Sequence, residues 1–201
     1  EKVHLMLFNS PQFILVFLPI TVLGFYLIGG RGHHRLAVSW LVGASFFFYG
    51  WWNPPYVLLL LGSIIFNYAA GNLLSEKQGR GILIIGVTAN LGLLGYFKYS
   101  NFFVDNINAL IGSDIVFEQV ILPLAISFFT FQQIIYLVDS YRGESRENSF
   151  LYYCLFVTFF PQLIAGPIVH HREMLPQLAK DALYKLKPES LSIGAIIFII
   201  G

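Results

Sequence analysis

Residues 122–173 read LPLAISFFTFQQIIYLVDSYRGESRENSFLYYCLFVTFFPQLIAGPIVHHRE. Two strongly apolar blocks lie within or across this stretch, 120–138 and 150–169, and neither has the pattern of a plain lipid-facing helix. The first holds Gln132, Gln133 and Tyr136, with Asp139 just past its end. The second is interrupted by Pro161 and by the Gly166–Pro167 pair, with Gln162 between them. A bilayer core has no water to satisfy freed backbone groups. Broken helices and buried polar side chains therefore persist there only where protein surrounds them or a wet cavity is lined. The stretch predicts a polar-lined passage rather than an anchor.

Composition sets the class. The 201 residues are 56% hydrophobic and only 11% charged, against about one quarter charged in soluble domains. Mean hydropathy is +0.68. A soluble fold of this size has too few charges here to cover its surface. The expectation is an all-α, polytopic integral membrane protein in the lipid bilayer, with broken or re-entrant helices and amphipathic surface helices. The formal net charge of +1 lacks the concentrated basic face that nucleic-acid binding needs. Cys154, the single cysteine, lies in an apolar block and has no activating neighbour, so it reads as a buried thiol.

Taken in order, membrane spans are expected at about 13–28, 36–52, 56–74, 82–97 and 120–141. No A-x-A-like cleavage site follows the first, which reads as an uncleaved helix. Tyr49, Trp51 and Trp52 fit an interfacial aromatic belt before the turn Asn53-Pro54-Pro55. Ser63, Asn67 and Gly71 fall on one face of the third span. Ala89, Gly92 and Gly95 form a small-residue stripe on the fourth; both are packing faces, across which Asn67 or Asn90 could hydrogen-bond. Residues 99–118 read as a separate acidic surface helix, and 170–188 as a cytoplasmic one. The run from Leu191 to Gly201 is shorter than the roughly 20 residues a crossing needs, so the reading is of a piece of a longer protein. Arg31 and Arg35, Lys77 and Arg80, and Arg142 and Arg146 alternate onto one side, which the positive-inside rule makes cytoplasmic. Arg172, Lys180, Lys185 and Lys187 keep to that side only if 150–169 dips in and returns. A full crossing with misplaced basic residues is the alternative.

For chemistry, Gln132, Tyr136 and Asp139 recur at i, i+4 and i+7 and give one polar helix face. They are candidates for lining a substrate cavity, although Asp139 could instead pair with Arg142. Gln162, His170 and His171 sit at the broken segment and its mouth and join the substrate-binding candidates. His33–His34 and His170–His171 are poor metal sites, because adjacent helical residues diverge by about 100°; no metal is expected.

Three segments, MLFNSPQF from Met6, SFFTFQQIIYLVDSYRGE and FFPQLIAGPIVHHREMLPQL, resemble the membrane-bound O-acyltransferases. The likeness is greatest to the alginate O-acetyltransferase membrane subunit group. It implies an enzyme of the bacterial inner membrane that moves an acetyl group from a cytoplasmic thioester to an extracytoplasmic polysaccharide. The implied donor is acetyl-CoA or an acyl-carrier thioester; no cofactor stays bound. Periplasmic acetyltransferase proteins are the implied partners. The family's catalytic histidine lies near a Trp-His-Gly sequence that these residues do not contain. No catalytic role is therefore assigned to any histidine present, and the 201 residues are expected to be inactive alone. A transporter or flippase, or a structural membrane subunit, is the alternative.

Overall fold

Proline and glycine decide where the helices start, widen and stop. The computed structural model describes residues 8–111, 119–144, 149–166, 171–178 and 180–200. The chain opens with a π-helical turn, Phe13–Phe17, that runs into α1, Leu18–Gly29. Pro19 has no N–H for the carbonyl four residues back. The ladder is accordingly widened just before it, with the Leu18 N–H bonded to the Phe13 carbonyl. Helix α2, His34–Trp52, ends at Asn53, whose extended backbone is what a residue before proline prefers. Pro54 then begins α3, Pro54–Lys77, which closes on Gln78 in the left-handed region with its N–H on the Leu74 carbonyl.

Helix α4, Arg80–Ile111, runs unbroken for 32 residues. The break expected between a span ending at 97 and a surface helix from 99 is absent, because no glycine, proline or cap interrupts Phe97-Lys98-Tyr99. At about 48 Å, α4 outreaches a hydrocarbon layer of about 30 Å. Helix α5, Ile126–Tyr141, starts six residues later than the pattern suggests. Pro123 and left-handed Ala125 (φ 56°) hold residues 119–125 out of the helix. Asn101 pairs with both the N–H and carbonyl of Val120, and Tyr49 and Tyr56 donate to the Leu124 and Ile121 carbonyls.

The second apolar block is two helices, α6 (Phe150–Thr158) and α7 (Phe160–Ala165), separated at Phe159 ahead of Pro161. Phe160 is set into an aromatic box of Phe13, Phe17 and Phe48 at 5.9, 5.2 and 5.4 Å between centroids. The 170–188 segment is not one helix but α8 (His171–Leu178) and a 3-10 turn (Asp181–Tyr184). Helix α9, Pro188–Ile200, completes the described residues, among which no strand occurs.

Helices α1 and α2 form a hairpin, with the Trp40 indole lying on Gly24 and donating to the Thr21 carbonyl at 3.0 Å. Helix α5 sits between α3 and α4 and touches α6 and α7. Close approach is made by Gly71 of α3 and Gly86 of α4. A Cβ there would lie 2.3 Å from the Tyr136 ring and 2.8 Å from Leu137. Gly92 and Gly95, expected in a packing stripe, have nothing within 4 Å among the described residues; the contact face of α4 runs through Gly86 and Asn90 instead. The exterior is apolar, with Leu15, Leu58, Ile84 and Leu110 all exposed. Two helices, α3 and α4, are long and apolar enough to cross a membrane. The hairpins bring Arg31, Arg35, Lys77 and Arg80 to one end, and an Arg80 Nε to Tyr141 Oη bond adds the Arg142 end of α5.

These contacts predict opposite outcomes for two glycines. Gly71→Ala should destabilise the protein by about 1–3 kcal/mol through overpacking against Tyr136. Gly92→Ala should be neutral or stabilise by up to ~1 kcal/mol, through helix propensity alone. Unfolding of the two variants in the same detergent, followed by circular dichroism, measures both.

Candidate functional site

Helices rich in leucine and isoleucine supply no polar partner to one another, so a polar side chain between them has to meet another. Ser63 and Asn67 on α3, Asn90 on α4 and Gln133 on α5 do so where the three helices converge; Asn67, Asn90 and Gln133 are buried. Gln133 Oε1 accepts from Ser63 Oγ and from Asn67 Nδ2, each at 2.6 Å. Asn90 Nδ2 donates to Asn67 Oδ1 at 2.6 Å and to the Gly86 carbonyl at 2.8 Å. Asn67 Nδ2 also lies 2.9 Å from the Ser63 carbonyl and 3.2 Å from Asn90 Oδ1. An amide nitrogen has two hydrogens, so the two shorter contacts take them. Gln133 Nε2 keeps no protein acceptor among the described residues.

Ser63, Asn67 and Asn90 of the cluster, with Leu58, Leu59, Phe66 and Leu93, line a cleft of about 360 Å³ between α3 and α4. The other polar face of α5 carries Gln132, Tyr136 and Asp139, all buried, within about 60° of one another around the helix. Gln132 Oε1 and, on α6, the Tyr153 hydroxyl have no protein partner among the described residues. The Tyr136 ring lies 4.3 Å from that of Tyr153 and covers Gly71.

Of the remaining sequence candidates, Gln162 is half-buried on α7, which packs against α5, and its Nε2 is likewise unpartnered among the described residues. His171 is the first residue of α8. His170 lies outside the described residues. Gln132, Tyr136 and Asp139 thus share one face of α5, and Gln162 lies on α7, a helix that packs against α5. Among the described residues no three His, Cys, Asp or Glu side chains gather, so no metal centre can be built from them.

Ser63 and Gln133 were not among the expected site residues, and Asn67 and Asn90 were read only as packing contacts. The available signal was the Ser63–Asn67 spacing of four, inside a span with no other strongly polar residue until Asn72. Carboxamides and hydroxyls do not ionise near neutral pH. They can hold and orient a carbonyl or a hydroxyl, while a proton has to be taken by another group.

The chain is 43% identical along its whole length to a peptidoglycan O-acetyltransferase of Helicobacter pylori, covering 44% of that protein. It is 38% identical over 86% of its length to a probable alginate O-acetylase AlgI of Pseudomonas aeruginosa, of which it covers 34%. Against the probable alginate O-acetylase AlgI of Pseudomonas syringae pv. tomato the figures are 38% identity, 98% of the chain and 38% of the relative. The chain thus spans less than half the length of these relatives. No family model matches the chain, and no solved structure matches it.

The amide cluster is tested by a double-mutant cycle. Asn67→Leu and Gln133→Leu should each cost about 1–3 kcal/mol, because each strands a buried partner. The double variant should cost less than the sum by about 0.6–1.7 kcal/mol, the range for hydrogen bonds between membrane helices. Additive losses in equilibrium unfolding would show that the two side chains do not interact.

Proposed function

We propose that the chain, which has peptidoglycan and alginate O-acetyltransferases among its relatives, forms part of a multi-pass membrane O-acetyltransferase of the membrane-bound O-acyltransferase family. The protein transfers an acetyl group from a thioester presented at the cytoplasmic side to a hydroxyl of an extracytoplasmic polysaccharide. The observation that carries this reading is the buried polar face of α5, set in an apolar helical body whose homologues are named for O-acetylation. In the transfer, the acyl C–S bond breaks, a C–O bond forms to the glycan, and the hydroxyl proton ends on the departing sulfur. Acetyl-CoA or an acyl-carrier thioester supplies the acyl group.

Within that reaction these residues hold rather than react. Gln133 Nε2 offers a donor suited to a carbonyl and Gln132 Oε1 an acceptor suited to a hydroxyl, on adjacent faces of α5. The Tyr136–Tyr153 pair walls the passage, and Gln162 borders it from α7. In this reading the basic end of the bundle faces the cytoplasm and the glycan lies at the opposite end, with extracytoplasmic acetyltransferase proteins as partners there.

Gln132→Leu in the chromosomal copy should lower polymer O-acetyl content by up to about tenfold, the weight of one lost hydrogen bond at the transition state. Protein level in the membrane fraction should stay normal. Wild-type acetylation in Gln132→Leu, with Gln133→Leu and Tyr136→Phe equally silent, would sink the proposed role of α5.

A further inference from the structure

The positively charged end of the bundle holds a built contact that neither the amide cluster nor acyl transfer uses. Tyr184, in the 3-10 turn, is buried, and its ring lies flat on the His34 imidazole, with centroids 4.0 Å apart and planes at 9°. Phe25 packs on it at 5.3 Å, and its hydroxyl donates to the Leu178 carbonyl at 2.7 Å. A Cβ on Gly29 would come within 2.6 Å of the Tyr184 ring, so α1 has to end in glycine for the turn to seat. His34 Nδ1 is also 3.6 Å from the Asp181 carboxylate. Tyr184, with Leu183 packed beside it, thus pins a stretch in which Lys180, Asp181, Lys185, Leu186 and Lys187 are exposed.

The α1–α2 turn beside it has the same composition. Arg31, Arg35, Leu27 and Leu36 are exposed there. Arg31 folds back so that one Nη donates to the Leu27 carbonyl at 3.0 Å, which holds the guanidinium at the helix end. The junction therefore interleaves five cations with exposed leucines, at the end of apolar helices.

We propose that this junction is a binding site for the phosphate headgroups of anionic bilayer lipids. Arg31, Arg35 and the three lysines take the phosphate, and Leu27, Leu36 and Leu186 enter the acyl boundary below it. Positive charge alone would fit any polyanion, an acidic carrier protein included. The leucines decide for lipid, because cations and apolar side chains within one helical turn of each other match the layering of headgroup over hydrocarbon. Tyr184 gives the site its shape: it fixes the lysine-bearing segment against the arginine-bearing turn, which scattered basic residues on a membrane face do not require. The inference rests on the membrane placement proposed above.

The test is native mass spectrometry of the detergent-purified full chain titrated with phosphatidylglycerol, with phosphatidylcholine and, separately, with inorganic phosphate. The wild type should retain phosphatidylglycerol selectively, and inorganic phosphate should neither bind tightly nor displace it. Replacing Lys180, Lys185 and Lys187 with Gln should weaken phosphatidylglycerol binding by about fivefold per charge removed. Tyr184→Leu keeps every charge and should weaken it as well, whereas Lys77→Gln with Arg80→Gln, at the same end but away from the junction, should leave it unchanged. Wild-type selectivity in Tyr184→Leu, or an equal loss in the Lys77/Arg80 variant, overturns the site. Phosphate binding at the junction without lipid selectivity, or displacement of lipid by an acidic carrier protein, also overturns it. The exposed lysine variant guards against the case in which Tyr184→Leu fails to fold. Recovery of the protein in the soluble fraction without detergent would instead bring down the membrane reading itself.

Discussion

An amide shut away among leucines has to find its hydrogen bonds inside the chain, and that need fixes how α3, α4 and α5 sit together. Ser63 and Asn67 both point at Gln133 Oε1, and Asn90 answers Asn67 from the third helix. Rotating any of the three helices by one residue, about 100°, would strand these groups at a cost of about 1–3 kcal/mol each. Leucines and isoleucines pack almost as well in several registers; amides do not. Gly71 and Gly86 work with the cluster, since they let Tyr136 and Leu137 of α5 come close enough for its side chains to reach across.

A second fixed point lies at the break between α6 and α7. Pro161 cannot continue the hydrogen-bond ladder, yet proline alone leaves the direction of the chain open. Phe160 sets it. Its ring is held by Phe13, Phe17 and Phe48, so the π-helical start of the chain and α2 together grip the first residue after the break. The widened turn before Pro19 and the break before Pro161 are thereby coupled through one aromatic box. Each is a local concession to a proline, and each presents phenylalanine to the other.

Much of this architecture is legible in the sequence wherever one residue has one physical consequence. Proline marks the junction of α2 and α3 at Asn53-Pro54, and the low charge forces an apolar exterior. What the pattern hides depends on partners distant along the chain. Nothing local at Phe97-Lys98-Tyr99 distinguishes one long helix from two, and the polar residues beyond it suggested a change of environment where the backbone simply continues. Gly92 and Gly95 have the spacing of a contact stripe, but α4 is turned by Asn90, which must face Asn67. The buried polar face of Gln132, Tyr136 and Asp139 is legible because the three recur at helical spacing. Gln133 was passed over because its meaning lies 70 residues away at Ser63.

The choice of carboxamides over charged groups bears on the proposed chemistry. An ionised side chain in mid-bilayer costs several kcal/mol and demands a counter-ion, whereas neither a thioester carbonyl nor a sugar hydroxyl carries charge to offset it. A carboxamide both donates and accepts, so one side chain can follow a carbonyl through substitution of sulfur by oxygen and serve the incoming hydroxyl as well. Placing Gln132 and Gln133 side by side on α5 points two such groups into adjacent sectors of the same helix. In the proposed role such carboxamides would give a neutral acyl group hydrogen bonds without an ion pair, and Asp139, buried on the same face of α5 as Gln132, is the acidic exception there.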